Sequence, residues 1–350
     1  MSNRPAAFER TSFGSPAHIV IPDDYPPTYA RPDQVDLARL AAYGTLSLHT
    51  SRALSRAELL QRIASADVLI NVRAYTLLDA EAMAAAPKLR MISILGTGTD
   101  NVDLSAATRR GIVVTNTPGV GAASVAELTL GLMLAVARTI PVADAQLRQG
   151  VWRHREGPEL EGKTLGVLGL GAIGRRVARL GQGLGMRVLG WSFTRDAARA
   201  KTLGIELVDK DDLFRQADVV SVHLRSTPEA RGFVGSHELA LMKPSAILIN
   251  TARAALLDQD ALVKALREAR IAGAGLDVFL EEPLPVDRNP FKDFDNVVLT
   301  PHLGAVTREA SARSRAMPVD NIIAFLEGRP QHVVNRAVLD PGPIQEAGNM

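Results

Sequence analysis

The segment that most restricts the fold is 164–191, TLGVLGLGAIGRRVARLGQGLGMRVLGW, in which an apolar strand runs directly into three spaced glycines, a helical stretch and a second strand. Each glycine answers a separate steric demand. Gly169 permits the tight turn out of the strand, Gly171 lets the backbone approach a ligand, and Gly174 lets the helix pack closely on the strand. Amides at the start of the helix lack intrahelical partners and favour an anion. The spacing therefore predicts a dinucleotide cradle, with the pyrophosphate against Gly169, Gly171, Ala172, Ile173 and Gly174.

About 20 residues beyond such a turn, an acidic side chain accepts the ribose hydroxyls of NAD. Here that place falls near Ser192, in GWSFTR, and holds no carboxylate. Its absence removes repulsion toward a 2′-phosphate, and Ser192, Thr194 and Arg195 are all able to donate to one. The reading tilts to NADP(H). The alternative is NAD(H) bound without the carboxylate, with Arg195 a solvated surface residue.

Strand-like and helical stretches alternate on both sides of this segment. Strands are expected at 18–21, 45–48, 68–72, 91–95 and 112–115, then at 164–168, 187–191, 219–223, 246–250, 273–276 and 297–300. Helical stretches such as 55–66 and 79–86 lie between the early strands. This is the pattern of two α/β units, each a parallel sheet covered by helices. The helical stretch 308–328 follows the last strand and is expected to return to the first unit. Pro318 within it should mark a helix start or a kink, since proline lacks the amide donor. The arm 1–16 and the tail 340–350 read as loose ends.

Composition excludes other classes. A formal charge of +2 with scattered basic residues offers no continuous surface for nucleic acid. There is no cysteine, so disulfides, thiolate catalysis and cysteine-ligated metals are absent; no metal site is expected, and a reducing cytoplasm suits the chain. The apolar run 128–137 is closed by Glu127 and Arg138, well short of the roughly 18–20 residues of a bilayer span. It should be a buried helix, and the polar stretch 1–16 is not expected to act as a secretion signal.

Three polar residues fall at or beside strand ends in the second unit, where parallel α/β proteins place ligands. They are Arg253 in NTARAALLD, Glu282 in DVFLEEPLP and His302 in TPHLGA. Their chemistry is coherent. A hydride moves to a carbonyl carbon only if that carbon is electrophilic and the developing alkoxide gains a proton. Arg253 can orient and polarise a 2-oxo acid through its planar fork. His302 can supply the proton in reduction and accept it in oxidation. A carboxylate would fix the imidazole, and on these grounds either Glu282 or its neighbour Glu281 can fill that part.

At these residues the chain resembles the D-isomer-specific 2-hydroxyacid dehydrogenases, which include phosphoglycerate dehydrogenases and glyoxylate or hydroxypyruvate reductases. The likeness runs from about residue 68 to 328 through GTGTDNVD at 96–103, NTPGVGAASVAE at 116–127, the glycine turn, DVVSVHLRSTPEARGFV from Asp218, NTARAALLD, EEPLP and TPHLGA. The resemblance assigns the catalytic trio to Arg253, Glu282 and His302. It places the substrate carboxylate at Thr97 and Gly98 with Arg73 nearby, the nicotinamide carboxamide at Asp277, and Thr227, Thr251 and Ala252 beside the cofactor. Ala254 stands where the family usually has glycine, a change expected to narrow the site.

The same resemblance implies two flavodoxin-like or Rossmann-like domains, a substrate domain of 1–117 plus 306–350 and an inserted NAD(P)-binding domain of 118–305. A cleft that closes on binding would lie between them. It further implies a homodimer joined through the cofactor domains near 127–140. The expected reaction interconverts a small 2-oxo acid and a D-2-hydroxy acid, with glyoxylate or hydroxypyruvate preferred. A phosphoglycerate dehydrogenase-like enzyme is the alternative, against which weighs the lack of room for a regulatory domain after Gly328. A nucleotide-sensing corepressor module on the same fold is the non-enzymatic alternative, opposed by the intact trio.

Overall fold

The computed structural model describes residues 16–31, 36–72 and 75–339. The loose arm and tail expected at the ends fall almost wholly outside these residues. Two compact units emerge, one from residues up to Val120 together with those from Arg308 onward, the other from Gly121–Thr307.

In the first unit five strands form one parallel sheet: β1 (Ala17–Ile21), β2 (Gly44–Leu48), β3 (Val68–Asn71), β4 (Met91–Ile94) and β5 (Val113–Thr115). Their order is β2-β1-β3-β4-β5, the flavodoxin-like arrangement. β3 and β4 are buried throughout, as a sheet covered on both faces requires. Val20, Leu69 and Ile92 pack on one side with Ile63 and Met83 of the helices Arg56–Ile63 and Ala80–Ala85. Ile19, Ile70 and Met91 pack on the other with Val319, Ile322 and Phe325.

Those last residues belong to the helix Arg308–Leu326, which does return to the first unit. Of the two outcomes expected at Pro318, a helix start or a kink, the start does not occur: the helix runs through it. The buried apolar face of this helix offsets the missing amide bond, and the Pro318 carbonyl accepts Ser93 Oγ at 3.2 Å.

The second unit holds β6 (Thr164–Leu168), β7 (Arg187–Trp191), β8 (Glu206–Leu207), β9 (Val219–Val222), β10 (Ile247–Asn250), β11 (Gly273–Leu276) and β12 (Val297–Leu299). They form one parallel sheet in the order β12-β11-β10-β9-β6-β7-β8. Counted from β6, this is the dinucleotide-binding order with one further strand. The order reverses beside β6, so the crevice at its carboxyl end is where a ligand is expected. The apolar run closed by Glu127 and Arg138 lies in the helix Ala122–Ala137, whose Leu132, Met133 and Val136 pack on the sheet with Val167, Ile247 and Ile249. Among the described residues no single helix is long and apolar enough to cross a membrane.

Candidate active site

The turn after β6 has the shape its glycines predict. Gly169 has φ +96° and backs onto β9 so closely that a Cβ would lie 2.6 Å from the carbonyl oxygen of His223. A Cβ on Gly174 would lie 1.9 Å from the Gly169 carbonyl oxygen, whereas one on Gly171 would meet nothing within 4 Å. Ala172 is exposed and Ile173 half-buried at the start of the helix Ala172–Gly183. Elsewhere the helix starts at Ser55, Asp79, Asp103, Asp196 and Asp258 are closed by those side chains. Gly171 supplies no such cap, which leaves first-turn amides for an anion. These features fit a dinucleotide pyrophosphate.

Beyond β7, Ser192 Oγ donates to the Thr194 carbonyl at 2.5 Å, and Arg195 donates to Asp209 Oδ1 at 3.0 Å. Both members of the ion pair are exposed, so it holds Arg195 only weakly. Thr227 is exposed beside a short helical turn, Pro228–Ala230. Thr251 is buried with its hydroxyl 2.8 Å from that of Thr129. The amide of Ala252 donates to Asn250 Oδ1 at 3.0 Å, and Asn250 Nδ2 donates to the Arg253 carbonyl at 2.9 Å. Asn250, buried at the end of β10, thereby shapes the turn that presents Arg253.

The acid–base pair is explicit. His302 Nδ1 lies 2.7 Å from Glu282 Oε2, while Glu282 Oε1 accepts the Phe279 amide at 2.9 Å. Glu281 turns away and pairs with Arg288 at 2.7 Å. Burial by itself pushes the Glu282 carboxyl up, but the His302 hydrogen bond, the Phe279 amide and the charges of His302 and Arg253 together hold it below its usual range. The carboxylate is therefore ionised beside the imidazole. The His302 side chain is 46% exposed, so its far nitrogen can meet a substrate. A second histidine on this edge, His223, is pulled down to about 3 by burial. It stays neutral and cannot serve as the proton donor near pH 7.

Asp277, fully buried after β11, is engaged from three sides. Its Oδ1 accepts Thr300 Oγ1 at 2.6 Å and the Leu303 amide at 2.7 Å, and its Oδ2 accepts the Gly304 amide at 2.9 Å. A carboxylate has about four acceptor positions, so these three bonds take up most of its capacity. Between these anchors His302 adopts φ +54°, a left-handed conformation that costs a non-glycine residue roughly 1–2 kcal/mol. Neither Thr300 nor Asn250 stood out in the sequence as a site residue, although both lie in the motifs TPHLGA and NTARAALLD.

Thr97 and Gly98 lie in the first unit after β4. The Thr97 carbonyl accepts Asn116 Nδ2 at 2.7 Å, and its hydroxyl donates to the Thr117 carbonyl at 3.1 Å. Among the described residues no backbone carbonyl accepts the amides of Thr97 or Gly98. Arg73 lies outside the described residues.

An imidazole fixed by a carboxylate can pass one proton, and an arginine can hold an acid while that happens. With a dinucleotide turn on the same sheet edge to bring the redox partner, these parts define a dinucleotide-dependent oxidoreductase of small acids. Comparison with known proteins makes the class specific. Residues 130–304 match the family model described as D-isomer specific 2-hydroxyacid dehydrogenase, NAD binding domain. A glyoxylate reductase of Aeropyrum pernix is 46% identical over 295 residues, 80% of this chain and 86% of that protein. A D-3-phosphoglycerate dehydrogenase of Methanocaldococcus jannaschii is 44% identical over 292 residues, 82% of this chain but 55% of that protein. The crystal structure of a glyoxylate reductase from Paecilomyes thermophila superposes with a TM-score of 0.83 at 29% identity, covering 91% of this chain and 98% of that one. The chain belongs to the D-isomer-specific 2-hydroxyacid dehydrogenase family. It is an enzyme that interconverts 2-oxo acids and D-2-hydroxy acids with a nicotinamide cofactor, which sets aside the corepressor alternative.

Proposed function

We propose that the enzyme reduces glyoxylate to glycolate, or hydroxypyruvate to the D-2-hydroxy acid glycerate, with NADP(H) preferred, and that Arg253, Glu282 and His302 carry the chemistry. The observation that carries this reading is the 2.7 Å pair of His302 and Glu282 at an exposed strand end. A dinucleotide bound with its pyrophosphate at the glycine turn would supply the hydride from its reduced nicotinamide. Arg253 binds the substrate carboxylate and polarises the adjacent carbonyl. His302 donates the proton that the new alkoxide needs, and Glu282, ionised beside it, fixes the ring and stabilises the charged imidazolium from which that proton comes. Thr97 and Gly98, with Arg73, receive the carboxylate in the first unit.

The preference for glyoxylate is supported by the relatives of that name, which match most of their own length. The phosphoglycerate dehydrogenases are matched over little more than half of theirs. The preference for NADP(H) is supported by the missing carboxylate near Ser192 and by an Arg195 held only by a solvated partner. A homodimer is supported by the helix Ile140–Arg148, which has no buried residue and leaves Ile140 and Leu147 more than half exposed. A panel of 2-oxo acids assayed with both reduced cofactors tests the reading. Highest kcat/KM for glyoxylate or hydroxypyruvate with NADPH supports it; a preference for phosphohydroxypyruvate, or equal use of NADH, refutes the corresponding part.

A further inference from the structure

We infer that Thr300 is a positioning residue, which acts through the buried Asp277 carboxylate to preset the backbone that carries His302. The inference rests on His302 being the proton donor and adds a role for Asp277 that is separate from any contact with the cofactor. Two loops meet here. The loop after β11 begins at Asp277 and reaches Glu282; the loop after β12 runs from Thr300 to Gly304. The first grips the second at two points, through Asp277 at its base and Glu282 at its tip.

The Asp277 contacts bracket the histidine. Thr300 lies two residues before it, and Leu303 and Gly304 follow it. Within the bracket the His302 amide donates to the Thr300 carbonyl at 2.9 Å, and the residue stands at φ +54°. A non-glycine residue leaves that conformation unless its surroundings over-determine it. Both sides of His302 are fixed to one carboxylate, so relaxation to the right-handed region would break at least one charge-assisted bond. The ring is thus aimed before any ligand arrives. The Thr300 hydroxyl, at 2.6 Å, is the shortest of the three contacts and the only one from a side chain, hence the one a substitution can remove.

The experiment compares full-length Thr300→Val, Thr300→Ser and His302→Gln with the parent enzyme, using glyoxylate turnover for kcat and KM and reduced-cofactor fluorescence for binding. Val keeps the shape of threonine and deletes the donor; Ser restores the donor. Misplacing a reacting group by about 1 Å costs up to roughly 100-fold, so T300V should lose about 10–100-fold in kcat with little change in KM. Cofactor affinity should stay at the parent value, and T300S should recover most of the turnover. If T300V does not fold, Thr300→Ala is read against T300S by the same measurements. The inference is overturned by parental kcat in the variant lacking the hydroxyl, by T300S being as impaired as T300V, or by cofactor affinity falling in step with kcat. An inactive H302Q beside an unaffected T300V overturns the inference alone, whereas an active H302Q overturns the role of His302 itself.

Discussion

The glycine turn can be tested at two positions whose surroundings predict opposite failures. Alanine at Gly174 brings a methyl carbon 1.9 Å from the carbonyl oxygen of Gly169. An unstrained carbon–oxygen contact is about 3.3 Å, so the helix must move from the turn by roughly 1.4 Å, and the atom that the methyl meets is backbone. Overpacking of this kind costs about 1–3 kcal/mol. In a unit of this size each kcal/mol lowers Tm by about 2–4 °C, which gives a fall of about 2–12 °C. Gly171 is the reverse case. Its φ of −72° is open to any residue, and the new methyl meets no protein atom within 4 Å. Stability should therefore hold, or rise by about 0.4–1 kcal/mol through a less flexible unfolded chain. The methyl group occupies the side from which a pyrophosphate would approach. Loss of one charge-assisted amide contact, about 1.5–3 kcal/mol, weakens binding by roughly 10–100-fold. Thermal unfolding by circular dichroism and titration with reduced cofactor read the two effects separately. Parental affinity in Gly171→Ala would refute a pyrophosphate at this turn, and parental Tm in Gly174→Ala would refute the closeness of the helix to the strand.

Glu282→Gln should lower kcat/KM by roughly 100-fold. Because the Glu282 carboxyl lies below its ordinary 4.5 in the folded protein, its stabilising charge is present above that value and is lost as pH falls toward the lower folded value. The stability difference between parent and E282Q should shrink as pH falls below about 5; a difference unchanged by that acidification would count against it. Arg195→Ala should weaken NADPH binding about ten-fold relative to NADH, while Asp209→Asn, by releasing the arginine, should strengthen NADPH; fluorescence titration showing equal changes for both cofactors removes the arginine from the site. Leu147→Glu should convert a dimer to a monomer in sedimentation, and a parent chain that already sediments as a monomer sinks the proposed interface.

Most of the sheet was legible because parallel strands buried on both faces are continuous apolar runs. The strand missed, β8, has only two residues and pairs only with β7, too short to show any periodicity. The expected strands ran one residue too far at Val72, Leu95, His223 and Thr300. Each is apolar, β-branched or otherwise compatible with a strand, so the pattern continues where the sheet pairing stops. Pro318 was open to two outcomes, a helix start or a kink. The start does not occur, because packing of Val319, Ile322 and Phe325 against the first sheet carries the helix through it.

The site divides along the same line between local and long-range causes. Residue types were legible: a histidine, an arginine and two candidate glutamates at strand ends. The choice between Glu281 and Glu282 was not available from chemistry and spacing, because it depends on which side chain reaches a histidine 20 residues later and which reaches Arg288. Asp277 shows the same limit more sharply. Its burial demanded partners, and the sequence offered a cofactor amide as one, but three are supplied by the protein from a loop more than 20 residues away. TPHLGA then acquires a reason residue by residue: the Thr300 hydroxyl and the Leu303 and Gly304 amides go to Asp277, and His302 goes to Glu282. Such a motif is readable as a signature before it is readable as a mechanism, because the partners that explain it lie in another loop, after a different strand.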